Sequence, residues 1–164
     1  MKQMDKSKRL DRSDHIDTQK DNPELAVSRY LKSMNCAQAV METYAESMGV
    51  PVETALRAAA AFAGGMGMGS ICGAVAGAFM VIGMKYGKTK PSDRKADQKT
   101  YQKAAEFTKE FKERHIHLYC SKLLGVDMST ETGVADARRK GLFIKMCPEH
   151  VRSAVKILDK ILTE

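Results

Sequence analysis

Residues 58–84, AAAAFAGGMGMGSICGAVAGAFMVIGM, run for 27 positions without a charge, and how they are read decides the fold. That length is enough to cross a bilayer. Gly65, Gly69, Gly73 and Gly77 also repeat at the four-residue spacing by which membrane helices approach one another closely. The same spacing serves helices that pack in water. Seven glycines, bunched at Gly64, Gly65, Gly67 and Gly69, favour a break into two core helices joined by a close turn, each too short to span. The reading is therefore a third helix over about 52–63 and a fourth over about 70–86, forming a buried Gly/Ala-rich central pair. No membrane insertion is expected.

Working outward, the composition agrees with a helical domain. Ala, Met, Lys and Glu are plentiful, aromatics make up 6% and Trp is absent, a balance that favours helices over strands. The expected fold is all-α, a compact bundle of about five to seven helices. With 164 residues, the chain suffices for one domain with a substantial core. Residues 1–22 mix both charge signs without an apolar run and read as a flexible charged tail, leaving 23–164 as the single domain. The same segment lacks the apolar core of a secretory signal, so a cytoplasmic location is expected. The net charge of +7 comes from 27 basic residues interleaved with 20 acidic ones. Such a pattern is a solvated helical surface, and nucleic-acid binding is not expected.

Local signals place the remaining helices. Asn22 before Pro23 reads as a cap with proline at the first helical position, opening a helix to about Lys32. Ser33 or Asn35 caps the next, in which Cys36, Val40, Tyr44 and Met48 recur every fourth residue as a buried stripe that Gly49 and Pro51 end. After Pro91, a long helical pattern runs over about 94–124. Tyr101, Ala104, Phe107, Phe111 and Leu118 share one face while Ile116, Cys120 and Leu123 lie on another, so a kink or break is expected near His115. Gly125 is the expected C-cap. Residues 126–146 carry little periodicity and read as a loop with at most a short helical turn. Pro148 then begins a last helix striped by Val151, Ala154, Val155, Leu158, Ile161 and Leu162, with Cys147 as N-cap.

Cys36, Cys72, Cys120 and Cys147 are the residues that carry chemistry. Outside a secretory context, cysteines read as metal ligands or redox thiols before structural staples. Three of them, Cys36, Cys72 and Cys147, fall at predicted helix starts, where unpaired amides and the positive dipole end stabilise a thiolate. Thiolate is both nucleophile and metal ligand, so position alone does not separate the two chemistries. The plain alternative is four small buried hydrophobes, but coincidence at three helix starts favours one shared site. There is no CxxC or CxxCH, which removes a thioredoxin motif, a zinc ribbon and covalent c-type haem attachment. The four must converge through tertiary structure, to hold zinc or an iron–sulfur cluster, or to cycle as dithiol and disulfide.

Other candidates are weaker. His117, three residues before Cys120, could serve as ligand or proton shuttle, though a helix histidine in solvent is the ordinary reading. His15, His115 and His150 have no stronger case. Met66 and Met68 suggest a soft metal less than core filling beside glycines. GGMGMG lacks the Lys-Ser/Thr ending of a phosphate loop and follows no strand, and no catalytic base stands out.

Four segments together resemble the C_GCAxxG_C_C family of redox-active four-cysteine proteins of bacteria and archaea. They are NCAQAV around Cys36, FAGGMGMGSICGAVAGAFMVIGMKYG around Cys72, FKERHIHLYCSKLLG around Cys120 and KMCPEHV around Cys147. The motif here runs Cys72, Gly73, Ala74, Val75, Ala76, Gly77, the order usual among members despite the label. His115 departs from the pattern, standing near an expected glycine. The resemblance implies a helical domain, often encoded near transport functions. It is also similar to the non-haem part of a cytochrome with an iron–sulfur centre, which lifts a cluster above zinc.

Three functions follow as expectations. In the first, Cys36, Cys72, Cys120 and Cys147 transfer electrons through a cluster or a disulfide, with Gly73 and Gly77 letting backbone approach the site closely. In the second, the same thiols hold zinc without redox turnover. In the third, the glycine face packs on a partner or on a second copy of the chain, making a homodimer. The expected partner of the first is a redox protein or molecule of unknown identity.

Overall fold

A computed structural model describes residues 21–32 and 35–163, so residues 1–20, with most of the charged tail and His15, and the candidate cap Ser33 lie outside it. Among the described residues the fold is all-α, as expected, and its only β feature is an isolated bridge between Ile71 and Tyr119. The helices are α1 (Asn22–Leu31), α2 (Cys36–Ala45), α3 (Val52–Ala59), α4 (Gly73–Tyr86), α5 (Arg94–His115), α6 (Cys120–Leu124), α7 (Glu131–Arg139), the four-residue turn α8 (Leu142–Lys145) and α9 (Cys147–Leu162). Eight of these have five residues or more, against the five to seven expected. The long 94–124 pattern divides into two, and residues 126–146, expected as a loop, contain α7 and α8.

The caps explain the boundaries. Asn35 and Gln38 form a reciprocal capping box that starts α2 at Cys36. Asp93 accepts from the Ala96 amide to start α5, and Thr130 accepts from Gly133 to start α7. Asn22, expected as a cap, is the first residue of α1 with Asp21 before it, and its side chain donates to Asp159 at 2.9 Å. Cys147, also expected as a cap, is the first residue of α9 behind Met146. The helix break near His115 occurs as predicted. Ile116 takes φ +66°, a backbone region costly for a β-branched residue. Gly125 ends α6 in the left-handed conformation.

The charge-free stretch does break at its glycines. Gly64, Gly65, Gly67, Gly69 and Met66 all take positive φ and turn the chain back. Ser70 to Cys72 are then extended rather than helical. The Cys72 amide donates to the Leu118 carbonyl at 2.8 Å, and the Cys120 amide donates to that of Ser70 at 2.7 Å. No described helix is long and apolar enough to cross a membrane.

The expected central pair needs correcting. α4 is buried along Gly73–Ala78 and at Val81 and Ile82, packing on α2, α5 and α9. In α3, however, only Ala55 and Ala59 are buried, and Ala58, Ala60 and Ala61 face solvent. The partner of α4 is α2. A Cβ on Gly73 would stand 2.8 Å from the Phe62 carbonyl oxygen and 3.1 Å from Cβ of Cys36. On Gly77 it would stand 2.9 Å from the Ala37 carbonyl oxygen. The glycine face that a second copy might have covered is therefore covered within the chain. On α5 the buried positions are Lys103, Phe107 and Phe111; the two phenylalanines belong to the expected stripe, whereas Tyr101 is exposed and Ala104 half-buried.

Two apolar clusters result. The larger joins α1, α2, α4, α5 and α9; the smaller gathers Cys120, Leu124, Met128, Ala137 and Cys147 beneath α6, α7 and α8. Tyr30 and Cys36 pack against both.

Candidate functional site

All four cysteines line one cavity of about 380 Å³, at the seam between the two clusters. Each stands at a helix start. Cys36, Cys120 and Cys147 are the first residues of α2, α6 and α9, and Cys72 immediately precedes α4. The sequence had placed Cys120 on a helix face; the break after His115 gives it a helix start as well. Gly73 lines the same cavity, whereas Gly77 lies one turn further along α4 against α2 and does not.

Pairing follows from two kinds of geometry. The bridge at Ile71 and Tyr119 makes 70–72 and 118–120 a miniature antiparallel ribbon. Side chains alternate along such a ribbon, so Cys72 and Cys120 project on the same side, diagonal to one another. Cys36 and Cys147, the first residues of α2 and α9, form the other pair, close enough for each thiol to shift the acidity of its neighbour.

The two pairs differ in acidity. Cys147 is held well below the ordinary thiol value, first by the hydrogen bond from Cys36, then by contacts from His150 and Tyr30, which together outweigh burial. Cys36, as the donor to that thiolate and itself desolvated, is raised. Burial pushes Cys72 up to about 11, although the Ala74 and Val75 amides at the start of α4 pull the other way. Burial, with Cys72 and Cys147 nearby, pushes Cys120 up to about 12. Cys147 is the most acidic of the four thiols.

His150 and Tyr30 are site residues that the sequence reading did not single out. His150 sits one helical turn beyond Cys147 on α9, a spacing legible as CPEH; its ring meets that of His115 edge-on at 4.9 Å. Tyr30 reaches the site only through the packing of α1 and had no local signal. Its hydroxyl donates to the Phe143 carbonyl at 2.9 Å, tying α8 over the cavity, and lies within reach of the Cys147 sulfur. With a single proton to give, it serves one acceptor or the other. His117, the histidine singled out as ligand or shuttle, is exposed in the turn between α5 and α6 and does not line the cavity. Met68 is exposed rather than a core filler.

As a donor set, four thiols around one cavity suit zinc or an iron–sulfur cluster, and Cys36, Cys72, Cys120 and Cys147 would hold either. Among the described residues, no three His, Cys, Asp or Glu side chains surround a common point as a bound ion requires.

Fold and site together define a helical protein with a four-thiol cavity. Residues 34–161 match the family described as "Putative redox-active protein (C_GCAxxG_C_C)", and the chain belongs to that family. No curated protein and no solved structure matches it significantly.

Proposed function

We propose that the cavity is a two-electron thiol/disulfide site in which Cys147 is the nucleophile and Cys36 the resolving thiol. The observation that carries this reading is the placement of both thiols, at the starts of α2 and α9, in one cavity with His150 and Tyr30 beside them. Cys147 thiolate attacks one sulfur of a disulfide R–S–S–R, breaking that bond and releasing R–S⁻, which takes up a proton. Cys36 loses its proton and attacks the Cys147 sulfur of the mixed disulfide. A Cys36–Cys147 disulfide forms and the second R–SH leaves. The two cysteine thiols are oxidised and the two R sulfurs reduced, so the exchange balances. A depressed nucleophile suits this role because its thiolate is populated at neutral pH. The test is a redox titration of metal-free protein in dithiothreitol buffers. A two-electron couple that disappears in Cys36→Ala and in Cys147→Ala supports the proposal, and a couple retained in both sinks it.

A second reading, electron transfer through an iron–sulfur cluster, is favoured by the presence of all four thiols at one cavity. It is tested separately, by iron, sulfide and visible absorption of anaerobically purified protein. Bound iron and sulfide would support it; colourless protein with stoichiometric zinc would favour a structural metal instead.

A further inference from the structure

The sulfurs that would react lie deep. Cys147, the nucleophile, exposes 5% of its surface and Cys36 is half-buried beside it, so the disulfide of another folded protein does not reach the Cys147 sulfur without the cavity opening. A molecule small enough to enter does. The walls on the α6–α8 side are Leu123, Leu124, Met128, Val134 and Phe143, and the exposed lining residues are the small Ala63 and Gly67. No Lys, Arg, Asp or Glu lines the cavity. The one basic side chain among the described lining residues, His150, is already engaged with the Cys147 sulfur, so an anionic reagent entering here would lose water without finding a free cation. The chain as a whole points the other way, since its charge of +7 attracts anions to the outer surface. Discrimination against anions would therefore have to arise inside the cavity.

From this lining we infer that the oxidant taken by the site is a small, uncharged, apolar organic disulfide, which enters the cavity whole. The inference rests on the thiol/disulfide reading above and names its substrate class. The reaction is the exchange already written, with R an apolar group lodged against Leu124 and Phe143 while its sulfur meets Cys147.

Two pyridyl disulfides of matched size test it: neutral dithiobis(nitropyridine) and dianionic dithiodinicotinate, each read by the absorbance of its released thiol. Rates are measured on reduced, metal-free native protein and on the same protein unfolded in urea, with the modified cysteine identified by mass spectrometry. The expected result is modification of Cys147, with a neutral-to-anionic rate ratio in native protein about tenfold or more above that of the unfolded chain. Val134→Lys, which adds a cation to the lining, should lower the neutral-to-anionic ratio of the native protein toward that of the unfolded chain. Equal ratios in native and unfolded protein, with Cys147 still the residue modified, would overturn the substrate class and leave the thiol/disulfide reading standing. If neither reagent modifies Cys147 in the native protein while the unfolded chain reacts, the thiol/disulfide reading itself falls.

Discussion

Cys147 differs from the other three cysteines in what faces its sulfur. Cys36, His150 and Tyr30 all stabilise its charge, whereas Cys72 and Cys120 are dominated by burial. The direction of the pH effect follows. Cys147 stays a thiolate below the pH at which an ordinary thiol, with a pKa of about 8.5, takes up its proton. Iodoacetamide at neutral pH should therefore label Cys147 first, with Cys72 and Cys120 reacting only in more alkaline solution, as a peptide map of a pH series would read. Removing a donor raises the Cys147 pKa and lowers its thiolate fraction. His150→Ala and Cys36→Ala should each move the midpoint of the labelling-rate profile up by about one pKa unit, slowing labelling roughly tenfold at pH values below that midpoint. A pH profile unmoved by either substitution would mean that neither contact sets the acidity. At this scale the sequence disclosed the four cysteines and three of the four helix starts at which they stand. Tyr30 was hidden because nothing near it in the chain refers to Cys147; it arrives from over a hundred residues away through the packing of α1.

The elements show why the cysteines meet. Gly73 and Gly77 let α4 lie against α2 closely enough to bring Cys72 to the start of α2, while Gly83 on the same helix faces open space. Gly73→Ala and Gly77→Ala should each cost about 1–3 kcal/mol, because the added methyl meets backbone that has nowhere to go. Gly83→Ala should instead stabilise by about 0.5–1 kcal/mol through helix propensity. Urea midpoints of the three variants give the contrast directly, and equal losses at all three would remove the close-approach argument. The turn between α5 and α6 carries the opposite error of chemistry. Ile116 takes positive φ at 75% exposure, so it bears backbone strain without much burial to offset it. Ile116→Gly should raise stability by about 1 kcal/mol in the same assay. Helices with apolar stripes and caps were legible, α2 and α9 most of all. α7 was not, because Ala137 is its only buried residue and nine polar-rich positions show no period to read. Its surviving signals are Thr130 as cap and the left-handed Gly141 that starts α8. The α5 stripe was legible at Phe107 and Phe111 but not at Lys103, which is buried and paired with Glu106 at 2.9 Å, a polar residue standing where periodicity looks for an apolar one.

Across the whole molecule, the cavity exists because two clusters meet without fusing. α1, α2, α4, α5 and α9 form the body, and α6 to α8 form a cover held by Tyr30 on Phe143 and by the ribbon at Ile71 and Tyr119. The sequence reading foresaw convergence of the cysteines but missed most of that cover, since it left residues 126–146 as loop. The cover supplies the apolar walls and so the selectivity inferred above. The body supplies Cys36, Cys72 and, at the start of α9, Cys147 with His150. The division also separates the dithiols: Cys36 and Cys147 join body helices, and Cys72 and Cys120 sit on the ribbon that links body to cover.

The central claim is that Cys36 and Cys147 are the working pair. Reduced, metal-free protein is treated with one equivalent of dithiodipyridine, the remaining thiols are alkylated in denaturant, and the cysteine linkages are mapped by mass spectrometry. The account predicts a Cys36–Cys147 disulfide with Cys72 and Cys120 alkylated. A map dominated by a Cys72–Cys120 disulfide, or by random pairing of the four, would contradict it.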